Sequence, residues 1–256
     1  MSITPRSGKK TVSGWTLVII AHFCFLANPT LNDDLKCLLK KTEQKNSESL
    51  FLKVAVTGTA GSGKTTVCNH LKELGLSVIS ADVLAREAVT QGSEAYKKIV
   101  EYFGKDVLAH DGALNRSTLR RIVFRDATAR KKLEQFVHPE IIRRMKLEMV
   151  QVARDGEPIV VVEVPLLFEF GLENLFDVTI NVSAPHALKV KRLMERDNVS
   201  CDDAEALLKV QMSDQEKNKR AEAVIENNHS IEHMLSSVDI LYDNFFKKYL
   251  KKIKSA

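Results

Sequence analysis

The sequence predicts an α/β fold built on a five-stranded parallel sheet with helices on both faces. Three observations predict it. From Phe51 onward, short β-branched runs alternate with helical periodicity, the pattern of right-handed crossovers between parallel strands. The run PIVVVEVPLL, Pro158–Leu167, is apolar without alternation, as expected of a central strand covered on both sides. A glycine-rich turn separates the first strand from the first helix, at the strand end where open α/β sheets bind ligands.

The elements follow in order. FLKVAVTG, Phe51–Gly58, reads as a buried strand. Thr65 to Gly75 reads as a helix with Gly75 as its stop signal. LSVIS, Leu76–Ser80, is the second strand, and from Asp82 to about Gly156 the pattern is almost entirely helical. Pro139 interrupts the longest helical stretch, which predicts two helices or one kinked helix. Pro158–Leu167 and FDVTINVSA, Phe176–Ala184, are the third and fourth strands. Pro185 to Arg196 is a helix with proline near its first position. Ala221–Asn228 is a short last strand, and Ser230 to Leu250 a closing helix.

Charge and cysteine content narrow the function. The net charge is +5, but residues 1–50 hold +3, the tail from Asn244 holds +5, and the body between them holds −3. A nucleic-acid binder carries its basic stripe on the folded body, so nucleic acid is excluded as the partner. Cys24, Cys37, Cys68 and Cys201 form no close pair, which argues against zinc and against a disulfide framework and places the chain in a reducing compartment, the cytoplasm. Residues 1–50 are an extension of another character. Trp15–Ala27 is an apolar run, shorter than the roughly 20 residues of a membrane span. It resembles the apolar region of a secretory signal without a good cleavage site, or faintly an organellar transit peptide. Residues 251–256 form a basic tail. The sequence assigns no oligomeric state.

Gly58-Thr59-Ala60-Gly61-Ser62-Gly63-Lys64-Thr65 matches G-x-x-x-x-G-K-[ST] in full, after a predicted strand and before a predicted helix. The glycines free the backbone to wrap its N–H groups around phosphate oxygens. The helix that begins near Lys64 adds its positive end. Lys64 is expected to reach the β- and γ-phosphates and Thr65 to ligate Mg²⁺. The loop specifies a nucleoside triphosphate and Mg²⁺ on a P-loop NTPase fold. It does not separate a kinase from a GTPase or a motor ATPase.

Other residues bear on that choice. Asp82 lies just past the second strand, placed to accept a proton from an attacking hydroxyl, and Arg86 follows one helical turn later. The plainer reading is an N-cap aspartate beside a solvated arginine. Arg192 and Arg196 share a helix face, and two guanidiniums there suit a phosphoryl group between them or a helix C-terminal dipole. His138 and Pro139 sit in the helical stretch, and Pro165 and Leu166 follow the third strand, where Glu163 or Glu169 could also serve the site. An N-K-x-D guanine motif is absent, and the third strand ends in Glu163-Val164-Pro165 without an obvious aspartate. Both weigh against a regulatory ATPase and leave another small-molecule kinase, for a nucleoside monophosphate or a polyol, as the main alternative.

Taken in series, the phosphate loop, ADVLAR, the HP dipeptide, VPLLFE, LMERD and QMSDQEKNKRAEAVIENN resemble the dephospho-coenzyme A kinases over roughly Leu52 to Tyr249. The resemblance implies a kinase domain over 51–250, with a helical substrate-binding insertion at about 83–157 and a lid at about 192–217. It implies ATP at Gly61 to Thr66, with the ribose 3′-hydroxyl of dephospho-coenzyme A as acceptor. Asp82 matches the family's catalytic aspartate. Arg86, His138, Pro165 and Leu166 face the acceptor by the same resemblance, while Arg192 and Arg196 belong to the lid. Gln211 and Lys217 sit in or beside that lid, and Asn227 near the adenine-side loop. Three positions depart from the family's usual residues, Ser80 and Glu222 for aspartate and His229 for glycine. At His229 a turn of positive φ would be strained.

Overall fold

The computed structural model describes residues 51–254. Trp15–Ala27, the targeting and membrane readings attached to it, and the last two residues of the basic tail lie outside them. β1 (Leu52–Thr57) is buried except at Lys53. α1 (Lys64–Glu73) follows and closes in a Schellman turn, with Gly75 N–H donating to Lys72 O and Leu76 N–H to Leu71 O. β2 (Ser77–Ser80) runs directly into α2 (Ala81–Ala88). With α3 (Glu94–Phe103), α4 (Arg116–Arg125) and α5 (Ala127–Arg154), α2 makes up the helical insertion. Side chains start these last three helices: Ser93 accepts from Tyr96 N–H, Asn115 from Thr118, and Asp126 from Thr128 and Ala129. Each cap satisfies amides that a helix start leaves unpaired.

The chain returns through β3 (Ile159–Glu163), β4 (Val178–Ser183), α6 (His186–Asp197), α7 (Cys201–Lys209) and α8 (Asp214–Arg220). It ends with β5 (Ala223–Glu226), α9 (Ile231–Leu241), a wide π turn at Tyr242–Phe246 and α10 (Lys247–Lys254). The sheet order is β2-β3-β1-β4-β5, every pair parallel. Alternate residues face opposite sides. Val54, Val56, Ile159 and Val161 pack with α1, α9 and the buried Phe245 and Phe246. Ala55, Val160 and Val162 pack with α2, Met145 and Met149 of α5, and Phe168. A third cluster, Ile99, Leu119, Val123, Leu133 and Val137 among it, belongs to the insertion alone.

Pro139 lies inside one 28-residue helix, the single-helix alternative of the two the sequence left open, while other boundaries differ from the sequence expectation. Packing on both sides of the proline holds that helix together: Leu133 and Val137 sit in the insertion cluster, Met145 and Met149 in the cluster under the sheet. The third strand stops at Glu163, four residues short of Leu167. Val164 N–H makes the last ladder bond, to Val56 O, and Pro165 has no N–H to continue it. The fifth strand is Ala223–Glu226 rather than Ala221–Asn228, and the closing helix is broken by the π turn. Among the described residues Asn198, at the end of α6, is the one non-glycine position with positive φ, so His229 takes an ordinary backbone. None of the described helices is long and apolar enough to cross a membrane.

Candidate active site

The phosphate loop joins β1 to α1 at the C-terminal edge of the sheet. Gly61 and Gly63 have φ of 75° and 99°, a region that side chains disfavour. A Cβ on Gly63 would lie 2.4 Å from Asn227 Nδ2, and one on Gly61 2.9 Å from Lys189 O. The loop is therefore pressed between α6 and the residue after β5. Asn227 Nδ2 donates to Ser62 O (2.8 Å) and holds it from below. No side chain caps the first turn of α1, so its amides stay open to an anion.

The side chains at the loop divide by direction. Thr65 donates its hydroxyl to Glu163 Oε1 at 2.7 Å, which sets a carboxylate behind the expected Mg²⁺ ligand. Lys64 is half-buried, while Thr65 and Thr66 are exposed. Arg192 donates to Gly61 O (3.2 Å) and Asn227 Oδ1 (3.1 Å), and burial pulls its pKa down. Arg196 is turned elsewhere. Its Nε and Nη2 donate to the neighbouring Asp197 (2.8 and 2.7 Å), so the pair expected to share one anion is split in this structure. The adjacent carboxylate supplies the bidentate partner that a guanidinium favours.

A second recess lies beside the loop. It is a cavity of about 100 Å³ between α2, α5 and the turn after β3, lined by Asp82, His138, Met145, Pro165, Leu166 and Phe170 among others. Asp82 stands in the first turn of α2. The His138 ring meets Phe170 edge-on at 4.3 Å, and its Nε2 is buried without a partner. Burial lowers the His138 pKa, so the ring is neutral near pH 7. Arg86 is exposed at the far end of α2 and does not line the cavity.

The strand register joins loop and cavity. Val56 of β1 pairs with Glu163 of β3, and Glu163 with Ser80 of β2. Val56 and Ser80 are thus two strand spacings apart, or about 10 Å, and Gly58 and Asp82 follow them two residues later along the chain. Glu163 stands between them.

Three further contacts bind the surroundings. Lys189 donates to Asp214 (2.7 Å) and to Thr59 Oγ1 (3.0 Å), and Thr59 donates to Asp214 (2.8 Å). Gln211 Oε1 accepts from Ala60 N–H at 2.8 Å. Lys217 is fully buried and donates to Glu169 (2.9 Å) and Pro165 O (3.2 Å). Sequence reasoning passed over Lys189 and Asp214. One signal was present: Lys189 adjoins Val190 and precedes Leu193 by one turn, on the buried side of α6.

A family model described as dephospho-CoA kinase matches residues 52–233. Among curated proteins, the dephospho-CoA kinase of Listeria innocua is 39% identical over 192 residues, covering 75% of this chain and 96% of that protein. That of Bacillus licheniformis is 41% identical over 196 residues, covering 77% and 98%. Among solved structures, a Thermus thermophilus protein is 34% identical with a TM-score of 0.66, covering 76% of this chain and 98% of that one. The dephospho-CoA kinase from Campylobacter jejuni is 32% identical with a TM-score of 0.58, covering 75% and 95%.

Proposed function

The chain belongs to the dephospho-CoA kinase family, and from that premise we propose that it transfers the γ-phosphate of ATP to the ribose 3′-hydroxyl of dephospho-coenzyme A, giving coenzyme A and ADP. The observation that carries this reading is the shared row at the sheet edge. A phosphate loop and an acceptor cavity bearing Asp82 open on either side of Glu163. In-line transfer needs donor and acceptor side by side at fixed distance, because catalysis here is positioning and charge stabilisation.

Each residue has a part in the proposal. The amides of Gly61 to Thr66 hold the triphosphate. Thr65 would hold Mg²⁺ with Glu163 behind it, and the short Thr65–Glu163 bond fits a divalent cation. The ion supplies neutralisation of charge on the phosphate oxygens. Asp82 orients the 3′-hydroxyl and takes its proton as the oxygen bonds to phosphorus. Lys64 and Arg192 stabilise the charge that develops on the transferring group, and Arg196 joins them on leaving Asp197. His138 Nε2 gives the acceptor one hydrogen bond, while Pro165 and Leu166 form the wall it lies against. Arg86 serves the acceptor from outside the cavity.

The test is ADP release by the purified chain with ATP and Mg²⁺, with and without dephospho-coenzyme A. A large acceptor-dependent rate with coenzyme A as product is expected. Slow hydrolysis unaffected by the acceptor would overturn the reading and direct the search to nucleotide and polyol acceptors.

A further inference from the structure

The segment Gln211–Lys217 touches both halves of the site. At one end Gln211 takes the Ala60 N–H and Asp214 takes the Thr59 hydroxyl, so the segment grips the phosphate loop at two successive residues. At the other end Lys217 holds Pro165 O and the Glu169 carboxylate; Pro165 lines the acceptor cavity and Glu169 precedes Phe170, which lines it too. Glu169 also accepts from Met212 N–H at 3.0 Å, so the turn is tied to the segment twice. Between the two ends the backbone is stiffened by a capping box, in which Ser213 and Glu216 satisfy each other's amides.

The buried Lys217–Glu169 pair needs a reason beyond stability. Charges of this kind gain little over well-packed apolar side chains. What the charges supply here is direction, since a fully buried ammonium accepts one arrangement of the carbonyl and carboxylate around it. We propose that Gln211–Lys217 is a coupling strap, with Lys217 a positioning residue. Through it, phosphates on the loop set the acceptor wall, and the acceptor in turn sets the loop. This rests on the donor and acceptor assignments made above. Coupling of this type is reciprocal.

The experiment is calorimetric titration of the full chain with dephospho-coenzyme A, alone and with a non-hydrolysable ATP analogue plus Mg²⁺. The analogue is expected to tighten acceptor binding by about fivefold or more, and the acceptor to tighten analogue binding by the same factor. In Lys217→Met/Glu169→Gln, which removes both charges together and keeps an acceptor for Met212 N–H, that factor falls toward one. The analogue's own affinity holds within about twofold, a small change beside the coupling. Gln211→Leu removes one of the strap's two grips on the loop and is expected to lower the factor, a check that stands if the double variant does not fold. Acceptor binding indifferent to the analogue in the parent overturns the proposal, as does a folded variant that keeps the full factor. A chain that neither binds nor phosphorylates dephospho-coenzyme A would instead overturn the kinase reading itself.

Discussion

At the scale of single residues, Glu163 lies on the strand between those that lead to the phosphate loop and to Asp82, and its carboxylate accepts from Thr65. In the proposed function it takes the place of a strand-end aspartate and supports Mg²⁺ through water. Glu163→Gln is expected to raise the Mg²⁺ concentration for half-maximal rate by about tenfold, as lost outer-shell support of a metal does; an unchanged Mg²⁺ titration would remove Glu163 from the metal's surroundings. Asp82→Asn is expected to keep ATP binding and lower turnover about 10²–10⁴-fold. Unchanged turnover would sink its role as base. His138→Phe keeps the ring packed on Phe170 and removes the unpartnered Nε2. A KM for the acceptor raised about two- to tenfold is expected, the worth of one neutral hydrogen bond, with kcat little changed. An unchanged KM would make His138 a packing residue only.

At the scale of elements, the glycines of the phosphate loop tolerate no side chain. Gly63→Ala combines a positive φ with a Cβ 2.4 Å from Asn227. It is expected to destabilise the fold by about 1–3 kcal/mol and to weaken nucleotide binding, both readable from thermal melts with and without ATP. The strands and most helices were legible in the sequence because their signals are local: IVVV in β3, the helical pattern after Asp82, the glycine pattern of the loop. What was not legible depends on partners far along the chain. Lys189 meets Thr59, and Lys217 meets Glu169, only once the sheet has brought their elements together. Whether α5 is one helix or two was left open in the sequence for a related reason. Proline disfavours helix interiors, and only the packing of both halves into separate clusters outweighs it. Asp82 and Glu163 could be seen as strand-end carboxylates, but that β3 lies between β2 and β1 required the strand order.

At the scale of the whole molecule, the helices on one face of the sheet are joined by a titratable bridge. His70 of α1 lies 2.7 Å from Asp239 of α9 and 3.2 Å from Glu73. The Asp239 bond, more than any other influence, raises its pKa above 6.5. A folded-state pKa above the unfolded one favours folding while the ring is protonated. That contribution is full below the unfolded value and fades as pH rises through the folded one. The parent's advantage in melting temperature over His70→Gln is therefore expected to shrink as pH rises above about 6.5. A difference constant with pH would mean that the ring acts by packing alone.

The insertion's own hydrophobic cluster bears on how the molecule reaches this structure. β2 and β3 are neighbours, yet the whole insertion separates them in sequence. Bringing such distant ends together costs chain entropy that grows with the intervening length. Early collapse of the insertion helices on Leu119, Val123, Leu133 and Val137 would draw those ends together before the strands pair. Leu133→Ala is accordingly expected to slow refolding more than it speeds unfolding, and Val67→Ala, in the cluster around α1, to do the reverse. Stopped-flow refolding of the two variants reads this directly; equal partition in both would mean that sheet and insertion form together.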